Sequence, residues 1–152
     1  VLSASGGMKA FLDHFGFMFY VHRARPEMFR KKAFILSTTG GAGTKSAMKT
    51  IAASLKCWGI NRVYSRGFVM HHIKWNAMPL KKKERYEKTL RTDAVKFFHA
   101  VSSQKPCAPY FNTRFMFFMI KKFQERAADD SVDKQYWKEQ GWFGGVSPFH
   151  SK

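Results

Sequence analysis

Along this chain, short apolar runs alternate with stretches of helical period. Ala33-Phe34-Ile35-Leu36 is a continuous apolar run, long enough for a buried strand and too short for a helix. Gly40, Gly41 and Gly43 come next. Met48, Ile51, Ala52, Leu55 and Trp58 then recur on one helical face, and Gly59 stands where a C-terminal cap belongs. The same grammar comes before this stretch. Residues 1–5 read as the end of a strand, Gly6-Gly7 as a turn, and residues 8–18 as a helix with Met8, Phe11, Leu12, Phe15 and Phe19 inward. It also comes after. Residues 61–70 read as a strand, 71–79 as a loop, and 81–103 as a long helix with Tyr86, Leu90, Ala94, Phe97, Phe98 and Val101 inward.

Three strands separated by helices predict an α/β fold with parallel strands and right-handed crossovers. Three such strands leave both sheet edges open, and parallel sheets are normally covered and flanked by more strands. The chain therefore reads as the second half of a doubly wound domain over residues 1–104. Its opening on Val1 rather than Met, inside an expected strand, fits a truncated or processed chain. Residues 105–152 differ in character. Pro106 and Pro109 break the chain, and residues 111–123 are apolar all round, the pattern of a helix that is buried or meets a partner. Asp129-Asp130-Ser131 offers an N-cap to a short helix over 132–140 with Tyr136 and Trp137, ended by Gly141. Residues 142–152 read as a loose terminus.

Composition narrows the function classes. A length of 152 residues suits a single domain with a real core, and 16 phenylalanines make it unusually aromatic. No apolar stretch approaches the roughly 18 residues of a membrane span. The two cysteines, Cys57 and Cys107, form no C-x-x-C pair, which argues against a disulfide scaffold or zinc ribbon and suits a reducing cytoplasm. A net charge of +17 calls for a polyanion reading: nucleic acid, an anionic membrane surface or a phosphorylated ligand. The basic stretch Arg23, Arg25, Arg30, Lys31, Lys32 with nearby aromatics could hold single-stranded nucleic acid, and residues 115–122 could lie on an anionic membrane. Both readings describe a binding module without catalysis. The aromatics fall at core spacing, however, and the apolar helix suits a dimer contact better.

The glycine-rich stretch is the sharpest candidate site. In parallel sheets, ligands bind beyond the carboxyl ends of the strands. Glycines there give tight turns and let a flat or anionic ligand approach bare backbone N–H groups. GGAGTKS resembles a P-loop but fails its pattern, because Thr44 rather than glycine precedes Lys45. The adjacent His71 and His72 lack the spacing of a metal site and read as loop histidines, with contact to a substrate a remote alternative. Cys57 reads as a space-filler beside Trp58.

Gly7-Met8-Lys9-Ala10-Phe11-Leu12-Asp13-His14-Phe15-Gly16, together with Ser37-Thr38-Thr39-Gly40-Gly41-Ala42-Gly43, resembles two motifs of the flavodoxin-like NAD(P)H-dependent FMN reductases. These include the tryptophan-repressor-binding-protein type of quinone oxidoreductase. The likeness covers about residues 1–101. It implies a three-layer sandwich around a parallel sheet, with the first two strands and the phosphate-binding loop absent and a helical C-terminal extension added. It implies FMN as cofactor, NAD(P)H as electron donor, a quinone or free flavin as acceptor, and a homodimer or larger homo-oligomer. Ser3, Ala4, Ser5, Gly6, Gly7 and Met8 would form one wall of the flavin site, and Ser37, Thr38, Thr39, Gly40, Gly41 and Gly43 the other. No catalytic acid or base is implied. Lacking the phosphate loop, the chain as it stands is expected to bind FMN weakly or not at all.

Overall fold

A computed structural model describes residues 3–71, 74–103 and 108–149. Its described elements are α1 (Gly6–His14), β1 (Lys32–Thr39), α2 (Thr44–Cys57), β2 (Arg62–Val69), α3 (Leu80–Ser102), α4 (Phe111–Arg126) and α5 (Val132–Glu139). Short 3-10 turns occupy Gly16–Met18, Pro26–Arg30 and Trp75–Ala77. The fold is mixed α/β, with a two-stranded parallel sheet and five α-helices among the described residues.

β1 and β2 pair in register from Lys32 opposite Arg62 to Thr39 opposite Val69. Because side chains alternate across a strand, each face meets a different helix. On one face Phe34 and Tyr64 pack on Phe97 of α3, and Phe68 packs on Tyr86 with ring centroids 4.5 Å apart. The Tyr86 hydroxyl donates to the Val69 carbonyl at 2.7 Å, and the Arg66 guanidinium holds Asp93 with two hydrogen bonds. On the other face α2 packs so close to β2 that a Cβ on Gly67 would lie 2.7 Å from Thr44 Oγ1. The order through the sheet is helix, strands, helix.

The boundaries of α2 and α3 agree with the sequence pattern, but several expectations need correction. Of the strand expected over residues 1–5, Val1 and Leu2 lie outside the described residues, and Ser3 to Ser5 form no strand. Gly6 and Gly7 are not a turn. They begin α1, because Ser5 is an N-cap whose Oγ accepts from the Met8 N–H at 3.2 Å. The inward face of α3 is also different. Phe98 and Val101 are 66% and 51% exposed and Ala94 is exposed, whereas Phe97 turns inward as expected and Asp93 joins it. The acidic Asp93 belongs to the inward stripe because Arg66 neutralises it.

The terminus is packed as far as Phe149. Trp137 and Trp142 are 0% and 2% exposed and join Phe117, Ile120, Phe29 and Ala24 in the larger buried cluster. Phe117 stacks on Trp137 at 4.6 Å, and Phe149 meets Phe29 at 4.8 Å. The stretch from His22 to Ala24 is tied to α5: the Trp137 indole N–H donates to the His22 carbonyl, the Tyr136 hydroxyl to the Ala24 carbonyl at 2.7 Å, and His22 Nδ1 lies 2.8 Å from Asp133 Oδ2. Arg23 Nε lies 3.5 Å from Asp133 Oδ1, without the alignment of a hydrogen bond. α4 buries only Thr113, Phe117 and Ile120, and leaves Phe115, Phe118 and Phe123 more than half exposed. No helix among the described residues is long and apolar enough to cross a membrane.

Candidate functional site

The carboxyl end of β1 runs through Ser37, Thr38 and Thr39 into the glycine loop. Thr39 shapes that loop from within: its Oγ1 donates to the Ala42 carbonyl at 2.8 Å and accepts from the Gly41 N–H at 3.4 Å. Gly43 ends the loop at φ 102, a left-handed conformation that glycine adopts without strain, and α2 starts at the next residue.

A cleft of about 350 Å³ opens at this end of the strand. Ser3, Ala4, Ser5 and Met8 line one side of it, and Ser37, Thr38, Thr39 and Gly43 the other. Leu36 of β1 and Thr44, Ala47 and Ile51 of α2 complete the lining. Two segments far apart in sequence thus face each other. Gly6, Gly7, Gly40 and Gly41 do not line the cleft. All four are exposed, and a Cβ built on any of them would meet nothing within 4 Å.

Among the described residues, the lining has neither acid nor base. Its polar groups are hydroxyls and backbone. α1 and α2 both begin at the cleft, so the partial positive charge of two helix N-termini converges there. No side chain caps α2, which leaves its first amides open. Met8, Leu36, Ala47 and Ile51 supply apolar surface beside these donors. The arrangement can hold a flat, electron-rich, largely apolar ligand by its faces and edge. It has no side chain suited to donate or remove a proton. Its volume is at the small end of the roughly 300–1,000 Å³ typical of small-molecule sites.

Other expected candidates lie elsewhere. His71 comes after β2 with φ 56, exposed and off the cleft wall, while His72 and Cys107 lie outside the described residues. Among the described residues no three His, Cys, Asp or Glu side chains gather as a metal site would require. Phe29, in the basic stretch, is 2% exposed and has no free face on which to stack a base. Sequence reasoning missed three features: the Gly67 contact with α2, the Arg66–Asp93 pair, and a second cavity at the far end of α2. Of these, Gly67 alone carries a local signal, as a glycine inside a strand, which often marks close approach of another element.

No protein-family model matches the chain, and no match emerges among curated proteins or solved structures.

Proposed function

We propose that this chain is part of an FMN-dependent NAD(P)H oxidoreductase of the flavin and quinone reductase type, built on a flavodoxin-like sandwich. The observation that carries the reading is the meeting of residues 3–8 with residues 37–43 across one cleft at the carboxyl end of a parallel strand. The ring of FMN suits the donor set: neutral hydroxyls, uncapped amides at the start of α2, and apolar side chains for its faces. Ser3, Ala4, Ser5 and Met8 would hold one face, and Ser37, Thr38, Thr39 and Gly43 the other. Gly6, Gly7, Gly40 and Gly41 would border the rim, where the absence of side chains leaves a ring free to enter.

Bound flavin would supply the redox chemistry, accepting a hydride from NAD(P)H and passing electrons to a quinone or free flavin. The protein's part is to orient the ring, exclude water from its faces and direct backbone donors at its polar edge. A homodimer fits this reading, with the exposed phenylalanines of α4 as the contact, and so does a cytoplasmic setting.

The test is a flavin fluorescence titration. With no cationic side chain in the lining, riboflavin and FMN should quench alike, within about threefold in affinity and in the micromolar range or weaker. Ala47→Phe, which fills the cleft from α2, should abolish both. Submicromolar FMN binding with none for riboflavin would overturn recognition through the ring, and no saturable quench of either would overturn the flavin reading itself.

A further inference from the structure

The two faces of α4 meet different surroundings. Its inner face is fixed to the aromatic core of the tail: Phe117 stacks on Trp137 and meets Trp142 edge-on, the Gln124 side-chain amide donates to the Val21 carbonyl at 3.0 Å, and Lys121 Nζ donates to the Phe143 carbonyl at 3.3 Å. Its outer face is apolar and exposed. Phe111, Phe115, Phe118 and Phe123 are each more than half exposed, and Met116 and Met119 more than a third. We propose that this outer face docks on the surface of an anionic lipid bilayer. Phe111, Phe115, Phe118 and Met119 enter the boundary between headgroups and acyl chains, and Lys122 and Arg126 meet acidic headgroups. This inference does not depend on the flavin reading.

The exposed side chains form one patch. Phe111, Phe115, Phe118 and Met119 fall within about 100° of the helix circumference at about 3.6 residues per turn, and the Phe111 and Phe115 rings stack with centroids 6.4 Å apart. Single exposed apolar side chains are ordinary, whereas a contiguous patch of them marks a contact surface. The same face changes character along its length. Lys122 and Arg126 continue it toward the C-terminal end, both exposed, and Arg114 is exposed at its flank. Aromatic side chains bordered by cations are what a helix lying in a bilayer interface needs. At 16 residues α4 spans about 24 Å, short of the roughly 30 Å hydrocarbon core, so it suits lying on a bilayer rather than crossing it.

Charge decides between occupants. α4 carries Arg114, Lys121, Lys122 and Arg126 against a single acid, Glu125, which the two lysines share. Arg114 and Arg126 form no ion pair among the described residues. A second copy seated on this face, the contact a homodimer would use, sets these cations near their own counterparts on two chains of charge +17 each. An anionic bilayer meets them with opposite charge, and each cation held near such a surface adds attraction. Nucleic acid offers the same opposite charge but no apolar phase for a contiguous patch of phenylalanine and methionine. The inner face already orders the helix, so docking carries little ordering cost.

The test sediments the whole chain with vesicles of phosphatidylcholine alone and of phosphatidylcholine mixed with phosphatidylglycerol, at about 0.15 M salt. Binding to the mixed vesicles is expected, at least about tenfold tighter than to the neutral ones. Phe115→Ser combined with Phe118→Ser should weaken it about tenfold or more, as loss of buried apolar surface does. Lys122→Gln and Arg126→Gln should each weaken it about fivefold. All four positions are exposed, so these variants keep the core that Phe117 and Ile120 help to build. No binding to the mixed vesicles would overturn the proposal. Binding that the phenylalanine variant leaves unchanged would do so too, because charge elsewhere on the surface would then hold the chain. So would a dimer, read by light scattering without lipid, that the same variant dissociates, because a second copy would then cover the face.

Discussion

The two ends of this molecule are built on opposite principles. Around α5 the chain commits its large side chains to burial: Trp137, Trp142, Phe117 and Phe29 interlock ring against ring, and backbone carbonyls at His22 and Ala24 hold the α5 aromatics in place. Around the cleft it uses small and polar residues. α2 has no fully buried residue and α1 has only Leu12. One end holds the larger buried cluster, and the other has an open cleft beside the uncapped start of α2. On the proposed flavin reading, the cleft has to stay underfilled, and the anchoring has to come from elsewhere. The tail is thus a structural counterweight to the cleft.

This contrast is most exposed to test at its stable end. Trp137→Ala removes a wholly buried indole and its hydrogen bond and should cost about 3–5 kcal/mol. Chemical denaturation would read this as a large fall in the midpoint, and a loss below about 1 kcal/mol would show that the tail is not the main core. Gly59→Ala comes next. The residue holds φ 98, and a Cβ would lie 2.7 Å from the Phe29 ring. Strain and overpacking together should cost about 1–3 kcal/mol, and a thermal melt no different from that of the parent would refute the contact.

The Arg66–Asp93 pair, between the two ends, adds a dependence on pH. Its hydrogen bond to Arg66 holds the Asp93 carboxyl below its ordinary value, outweighing the opposing effect of burial. A carboxylate with a depressed folded-state value stabilises the fold above its unfolded value, about 3.9, and that contribution is lost as pH falls through the lower folded value. Asp93→Asn should therefore flatten the acid limb of the stability profile below about pH 4, with denaturation midpoints across acid to neutral pH as the measurement. An unchanged limb would show that the pair does not stabilise the fold. The smallest effect belongs to the open rim. Gly40→Ala meets nothing within 4 Å and should change stability by no more than about 0.5 kcal/mol.

How much of the fold is legible in the sequence depends on how local each signal is. The run 33–36, the α2 stripe, the Gly59 cap and the Ser131 N-cap are each written within a few residues, and each element appears where its pattern lies. Both walls of the cleft can be named from sequence because each is one short segment. Their meeting depends on tertiary packing, which no single segment encodes. The inward face of α3 departs from its apolar pattern because an aspartate stands in the inward stripe, and only the distant Arg66 explains why it can. The packed terminus is hidden because glycines and polar residues surround Trp142 and Phe149, whose partners Phe29 and Phe117 are far away in sequence. The second cavity draws on residues 20, 56–57 and 110–113, a grouping that only the folded chain creates.

The most direct test of the proposed flavin reading of the cleft is to monitor backbone amide resonances while adding riboflavin to the chain. Saturable shifts are predicted at Ser5, Met8, Thr38, Thr39 and Gly43, with Trp137 and the tail unmoved. Shifts confined to the tail or to the start of α4, or none at all at riboflavin saturation, would contradict it.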